Sequence, residues 1–165
     1  MKILVTYGSK YGSTRGIAER VAERLRAGGH DVTTTDVRQA GDLSDYGGVV
    51  LGSGIYAGGL HRDMTKLLTQ QHDVLAGKKA AAFAVLPGCC SEYARAEGRG
   101  RKVCPAIRRT GDTAHTPHLL PVRMILRRCG FWHAGYSRAM KAEPGDFRDW
   151  PVIEAWADEI ASAWA

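Results

Sequence analysis

The residues best suited to chemistry lie near the start of the chain, in the run Gly8-Ser9-Lys10-Tyr11-Gly12-Ser13-Thr14. The run follows a short apolar stretch, Lys2 to Tyr7, that reads as a buried strand. It precedes a segment in which Ile17, Val21 and Leu25 recur at helical spacing. A loop so placed ends at a helix N-terminus, where unpaired N–H groups and the helix dipole favour an anion. Ser9, Ser13 and Thr14 add hydroxyl donors, Gly12 lets the backbone curl close, and Lys10 and Tyr11 between them belong to the same candidate binding run. This combination suits a phosphate held with little full positive charge. The plain alternative is a polar connector with an ordinary helix cap.

Spacing separates this loop from two other phosphate-binding loops. The nucleoside-triphosphate loop requires Gly, four residues, then Gly-Lys-Ser/Thr. Here only three residues separate Gly8 from Gly12, and Ser13 stands where that lysine belongs. The dinucleotide fingerprint requires Gly-x-Gly-x-x-Gly, whereas this loop has Gly8, Gly12 and Gly16.

Two further runs offer polar or flexible groups. The first is Gly52-Ser53-Gly54-Ile55-Tyr56-Ala57-Gly58-Gly59-Leu60-His61. His61 is its one group with acid–base capacity near neutral pH, and so the one catalytic candidate. A histidine at a helix start also has a structural use as a cap. The second run, Leu86-Pro87-Gly88, opens a third loop that offers backbone contacts.

The elements that position these loops alternate along the chain. Strands are expected at Lys2 to Tyr7, Asp31 to Val37, Gly48 to Ser53 and Lys79 to Leu86. Helices are expected from Ser13 to the Gly28-Gly29 stop and from Arg62 to His72. A last helix has Asp149 as N-cap and Pro151 in its first turn. It carries Trp150, Ile153, Trp156, Ala157, Ile160 and Trp164 on one stripe, which reads first as core packing. Leu119 to Leu126 and Phe131 to Tyr136 compete for a fifth strand, and Pro121 weakens the first of them. Such alternation implies an α/β fold with parallel strands and right-handed crossovers. Ligands in these folds sit at the carboxyl ends of the strands, near the switch point. That rule nominates the loops after Tyr7, Ser53 and Leu86. The length of 165 residues fits one domain spanning the chain.

The formal charge of +6 is concentrated in one segment. Residues 88–135 hold nine Lys or Arg against three Asp or Glu, and the rest of the chain is balanced. The same segment holds Cys89, Cys90, Cys104 and Cys129. A zinc site could draw on Cys89, Cys104, His115, His118, Cys129 or His133, but paired Cys-x-x-Cys spacing is missing. Gly98, Gly100, Pro105 and Gly111 break any long basic helix, which argues against nucleic acid as a partner. A solvated basic loop is the plain reading. Peripheral attraction to anionic lipid is the functional one, centred on Arg95 to Arg109. The abrupt change of composition near Gly88 marks the segment as a divergent insertion or a stretch altered in reading frame. No apolar run approaches the ~18 residues needed to span a bilayer, and no signal peptide precedes the first strand, so a cytoplasmic location with free thiols is expected.

Ser9-Lys10-Tyr11-Gly12-Ser13-Thr14 resembles the phosphate loop of the flavodoxin superfamily, a run of Ser/Thr, any residue, Thr, Gly, any residue, Thr, except that Tyr11 replaces a threonine. The Gly52–His61 run resembles that of the flavodoxin-type, menaquinone-dependent protoporphyrinogen oxidases. The stretch from Gly145 to Trp150 and its helix are similar to related bacterial flavodoxin-domain proteins. The resemblance covers residues 1–87 and 141–165. It implies a three-layer sandwich on a five-stranded parallel sheet of order 2-1-3-4-5, with flavin mononucleotide (FMN) as cofactor. It further implies that the flavin ring lies between the second and third loops, with Tyr56 stacked on it and Gly54, Ala57 and Gly58 beside it. Gly58 or Gly59 would present a backbone group to the flavin, and Leu86, Pro87 and Gly88 would flank the ring. Ala57 stands where the oxidases tend to have an aromatic residue.

The function expected on this basis is redox. One form is an oxidase of the quinone-dependent protoporphyrinogen type, with a quinone or porphyrin partner. A second is a flavodoxin-like electron carrier, and a third is a binding module of the same fold without turnover. Carriers of this family tend to be strongly acidic, which the balance of this chain is not.

Overall fold

Three consecutive side chains, Ile3, Leu4 and Val5, are fully shielded from solvent, so the first strand is covered on both faces. The computed structural model describes residues 1–56, 59–87, 123–127 and 148–165. In it β1 (Lys2–Gly8) is the central strand, with β2 (Asp31–Asp36) on one side and β3 (Gly48–Tyr56) on the other, both parallel to it. The sheet continues through β5 (Lys79–Pro87) and β6 (Arg123–Arg127), also parallel. A two-residue strand, β4 (Gly59–Leu60), turns back antiparallel on the end of β3. With β4 set aside, the order β2-β1-β3-β5-β6 is the expected 2-1-3-4-5.

Alternation along the strands divides the core in two. Ile3, Val5, Val50, Ala81, Phe83 and Val85 face α1 (Ser13–Ala27) and the last helix, α4 (Trp150–Ala163). Leu4, Val49, Leu51 and Ala82 face α2 (Arg62–Gln70) and α3 (His72–Ala76) through Met64, Leu67, Leu68 and Leu75. The result is a three-layer α/β/α sandwich. α1 and α4 lie side by side, joined by a two-pronged Arg24–Asp158 pair with Nε–Oδ1 at 2.8 Å. The Asp149 carboxylate accepts the Val152 N–H at 3.2 Å, capping α4 as expected.

His30 ties the chain together at the amino edge of the sheet. It is buried, its Nε2 donates to the Ala161 carbonyl at 3.0 Å, and its Nδ1 lies 3.2 Å from the Met1 nitrogen.

Several boundaries differ from the sequence expectation. β2 ends at Asp36, because Val37 begins a 3₁₀ turn capped by the Asp36 carboxylate. β3 runs to Tyr56 instead of Ser53, since β4 supplies a partner for Ile55 and Tyr56. The helix expected from Arg62 to His72 ends at Gln70. Gln71 leaves helical geometry, and its side chain bonds Leu43 N–H and Gly41 C=O. Leu86 and Pro87 are strand residues paired with Leu126 and Arg127, so the third loop starts later than expected. The first candidate for the fifth strand prevails, beginning at Arg123, beyond Pro121. Phe131 to Tyr136, the zinc candidates and Arg95 to Arg109 lie outside the described residues. Among those described, no helix is long and apolar enough to cross a membrane.

Candidate functional site

The loop between β1 and α1 sits at the carboxyl edge of the sheet, beside the β1–β3 pair where the strand order reverses. Gly12 is the N-cap of α1 with φ of +82°, a left-handed conformation that favours glycine. It provides no side-chain cap, and the first turn of α1 contains no acidic residue. The positive end of the helix dipole is therefore not answered from within the helix. Ser13 opens the helix, and Thr14 follows with 1% of its surface exposed. The Thr14 Oγ1 is buried without a hydrogen-bond partner. A buried hydroxyl left unpaired is costly, and such exceptions call for a cause.

The loop amides are directed at hydroxyl oxygens. The Gly12 N–H donates to Ser9 Oγ at 3.0 Å, and the Lys10 N–H donates to Tyr56 Oη at 2.7 Å. The Lys10 ammonium lies 5.5 Å from the centre of the Tyr11 ring. Acceptor oxygens thus already converge on the backbone of a loop whose residues fit a phosphate.

The resemblance implies Tyr56 as the ring platform between the second and third loops. In the structure Tyr56 ends β3 and leans onto the first loop, with its ring centre 6.2 Å from Tyr11 and 5.9 Å from His61. The seat exists because Gly54, two residues earlier on the same face, has no side chain. A Cβ there would lie 2.7–2.9 Å from the Tyr56 ring and hydroxyl. Burial pushes the Tyr56 hydroxyl pKa up, partly opposed by the Lys10 amide.

His61 caps α2, its Nδ1 accepting the Asp63 N–H at 3.4 Å. That bond leaves Nε2 as the protonated nitrogen of the neutral ring. The His61 backbone N–H donates to Ser53 Oγ at 3.0 Å, which fixes the turn back from β4. Its ring packs over Gly8, where a Cβ would come within 2.7 Å of the His61 Cβ. His61 is thus a structural cap whose ring lies edge-on to Tyr56.

Ser9, Lys10, Tyr11, Gly12, Gly54, Tyr56 and His61 are brought together, with Ser13 and Thr14 directly behind the loop. Leu86 and Pro87 stand at the carboxyl end of β5, two strands away from β1. Ala57, Gly58 and Gly88 lie outside the described residues. Asp36, which the sequence reading did not single out, stands at the same edge on the end of β2. Its carboxylate accepts from the Arg38 N–H at 3.0 Å and from Arg38 Nε at 2.8 Å. These bonds hold its pKa below the ordinary carboxylate value, against the cost of partial burial. An acid followed two residues later by arginine was the available signal.

The model of the flavodoxin domain family matches residues 4–112. Among solved structures, an archaeal flavodoxin is similar with a TM-score of 0.65 at 19% identity, covering 98% of this chain and 97% of its own. Oxidised flavodoxin 1 from Bacillus cereus gives a TM-score of 0.65 at 17% identity, with 98% of both chains covered. Two-electron reduced Megasphaera elsdenii flavodoxin gives 0.63 at 17% identity, covering 98% of this chain and 99% of its own. At such identities the likeness establishes the fold.

Proposed function

The chain belongs to the flavodoxin domain family, and from that membership we propose that it binds FMN and works in electron transfer. The observation that carries this reading is the buried, unpartnered Thr14 Oγ1 behind a loop whose amides already point at oxygens. Ser9, Lys10, Tyr11, Gly12, Ser13 and Thr14 would hold the phosphate. Gly54, Tyr56, Ala57 and Gly58, with Leu86, Pro87 and Gly88, would border the ring. Bound FMN supplies one- and two-electron chemistry, while the protein supplies binding, orientation and electrostatics. The loop would contribute backbone dipoles and hydroxyl donors to that binding. Absorbance of the purified protein and titration with FMN test the proposal. Flavin bands, or uptake of added FMN with quenching of its fluorescence, are the expected result. A colourless preparation that takes up none overturns it.

A second reading, oxidation of a porphyrinogen with a quinone as acceptor, is favoured by His61. Its ring lies 5.9 Å from that of Tyr56, where a substrate losing hydrogen would need an acid–base group. FMN-loaded protein should then reduce a menaquinone analogue at the expense of protoporphyrinogen. Flavin binding without that turnover leaves the carrier. Peripheral membrane contact through Arg95 to Arg109 belongs to this second reading. It predicts salt-sensitive co-sedimentation with anionic vesicles and none with neutral ones.

A further inference from the structure

We propose that Tyr56 is a latch on the phosphate loop, its hydroxyl holding the Lys10 amide in the place of a phosphate oxygen until an anion displaces it. The inference rests on the reading of this loop as a phosphate site and adds a residue that governs entry to it. The Lys10 N–H is aimed at Tyr56 Oη at 2.7 Å, from a residue 46 positions away in sequence. One N–H cannot serve a phosphate oxygen and this hydroxyl at full strength. The contact is built rather than incidental. The ring rests over Gly54, where a Cβ would overlap it, and is bordered by Tyr11 and by the edge of His61.

The backbone at Tyr56 is fixed by pairing with Gly59. Release is therefore a rotation of the side chain, which leaves the end of β3 in place. An anion reaching the loop takes over the Lys10 N–H, and the phenol ring becomes free to rotate. Phosphate capture and ring release are then one exchange of hydrogen bonds. The cost of breaking the Tyr56–Lys10 bond is charged against anion affinity.

The test uses the full chain freed of flavin, with inorganic phosphate as probe, followed by NMR at the Lys10 and Gly12 amides and the Tyr56 ring. In the unsubstituted protein, phosphate should shift the Lys10 amide and the Tyr56 ring signals with one common midpoint. Tyr56→Phe keeps the ring and removes the acceptor. It should bind phosphate roughly 2- to 10-fold more tightly, the range set by one ordinary hydrogen bond. Its Lys10 amide should also exchange faster with solvent when phosphate is absent. Gly54→Ala keeps the hydroxyl but crowds the seat, and should tighten phosphate binding in the same direction. Equal or weaker phosphate binding by Tyr56→Phe overturns the latch alone. So does a Lys10 shift with no Tyr56 response. Failure of both proteins to bind phosphate overturns the latch together with the phosphate reading of the loop.

Discussion

At the scale of the residue, Thr14 carries the phosphate proposal. Its hydroxyl is buried in the first turn of α1 and bonds nothing. Thr14→Val keeps the shape and removes the unsatisfied group, so the ligand-free protein should gain stability in urea denaturation. The same change should weaken FMN by about 1.5–3 kcal/mol, the value of a hydrogen bond to a charged group, and leave riboflavin almost untouched. Fluorescence titration with both flavins reads the contrast, and equal weakening would place the phosphate elsewhere. Asp36 makes a different prediction. Its carboxyl titrates below its ordinary value because Arg38 hydrogen-bonds the ionised form. A depressed folded pKa gives stability that is fully present above the unfolded value of about 4. It is lost as pH falls through the lower folded value. Asp36→Asn should therefore lower Tm slightly at neutral pH and flatten the fall in Tm as pH drops below about 4. The effect should be small, since Arg38 is exposed and surface pairs contribute little.

At the scale of the element, α4 is the piece that closes the core on the α1 face. Trp156 is 2% exposed and meets Phe83 edge-on at 5.9 Å. Trp156→Ala should cost about 3–5 kcal/mol in chemical denaturation, a large share of the 5–15 kcal/mol typical of a domain. The stripe that holds Trp156 was legible from spacing alone. So was α1, whose apolar positions Ile17, Val21 and Leu25 are all fully buried. Such elements carry their own period, and burial of one face follows from it. The ends of strands were less legible. β3 outruns its apolar core because β4 folds back to pair with it, and β4 is two residues long. β6 pairs with β5 across a long stretch of chain, so its register depends on a partner that no local pattern names. In the site, the polar loop after β1 could be read directly. The seat of Tyr56 could not, because it depends on a side chain that Gly54 lacks.

For the whole molecule, a ligand that binds only the folded state adds stability by mass action. FMN at a hundred times its Kd should contribute about 2.7 kcal/mol and raise Tm, and riboflavin at equal concentration should raise it less. The rise should shrink with Thr14→Val, which links the residue to the global transition. The fold also has two poles. The β1–α1 loop, Tyr56 and His61 occupy the carboxyl edge of the sheet, while His30 gathers Met1 and Ala161 at the amino edge. Trp164 belongs to that second pole as well, packed where Gly48 opens β3. Any segment attached before residue 1 or after residue 165 therefore emerges on the far side from the loop. A fusion partner, or a linker to an electrode surface, could be joined at either end and leave the face that carries the loop turned outward.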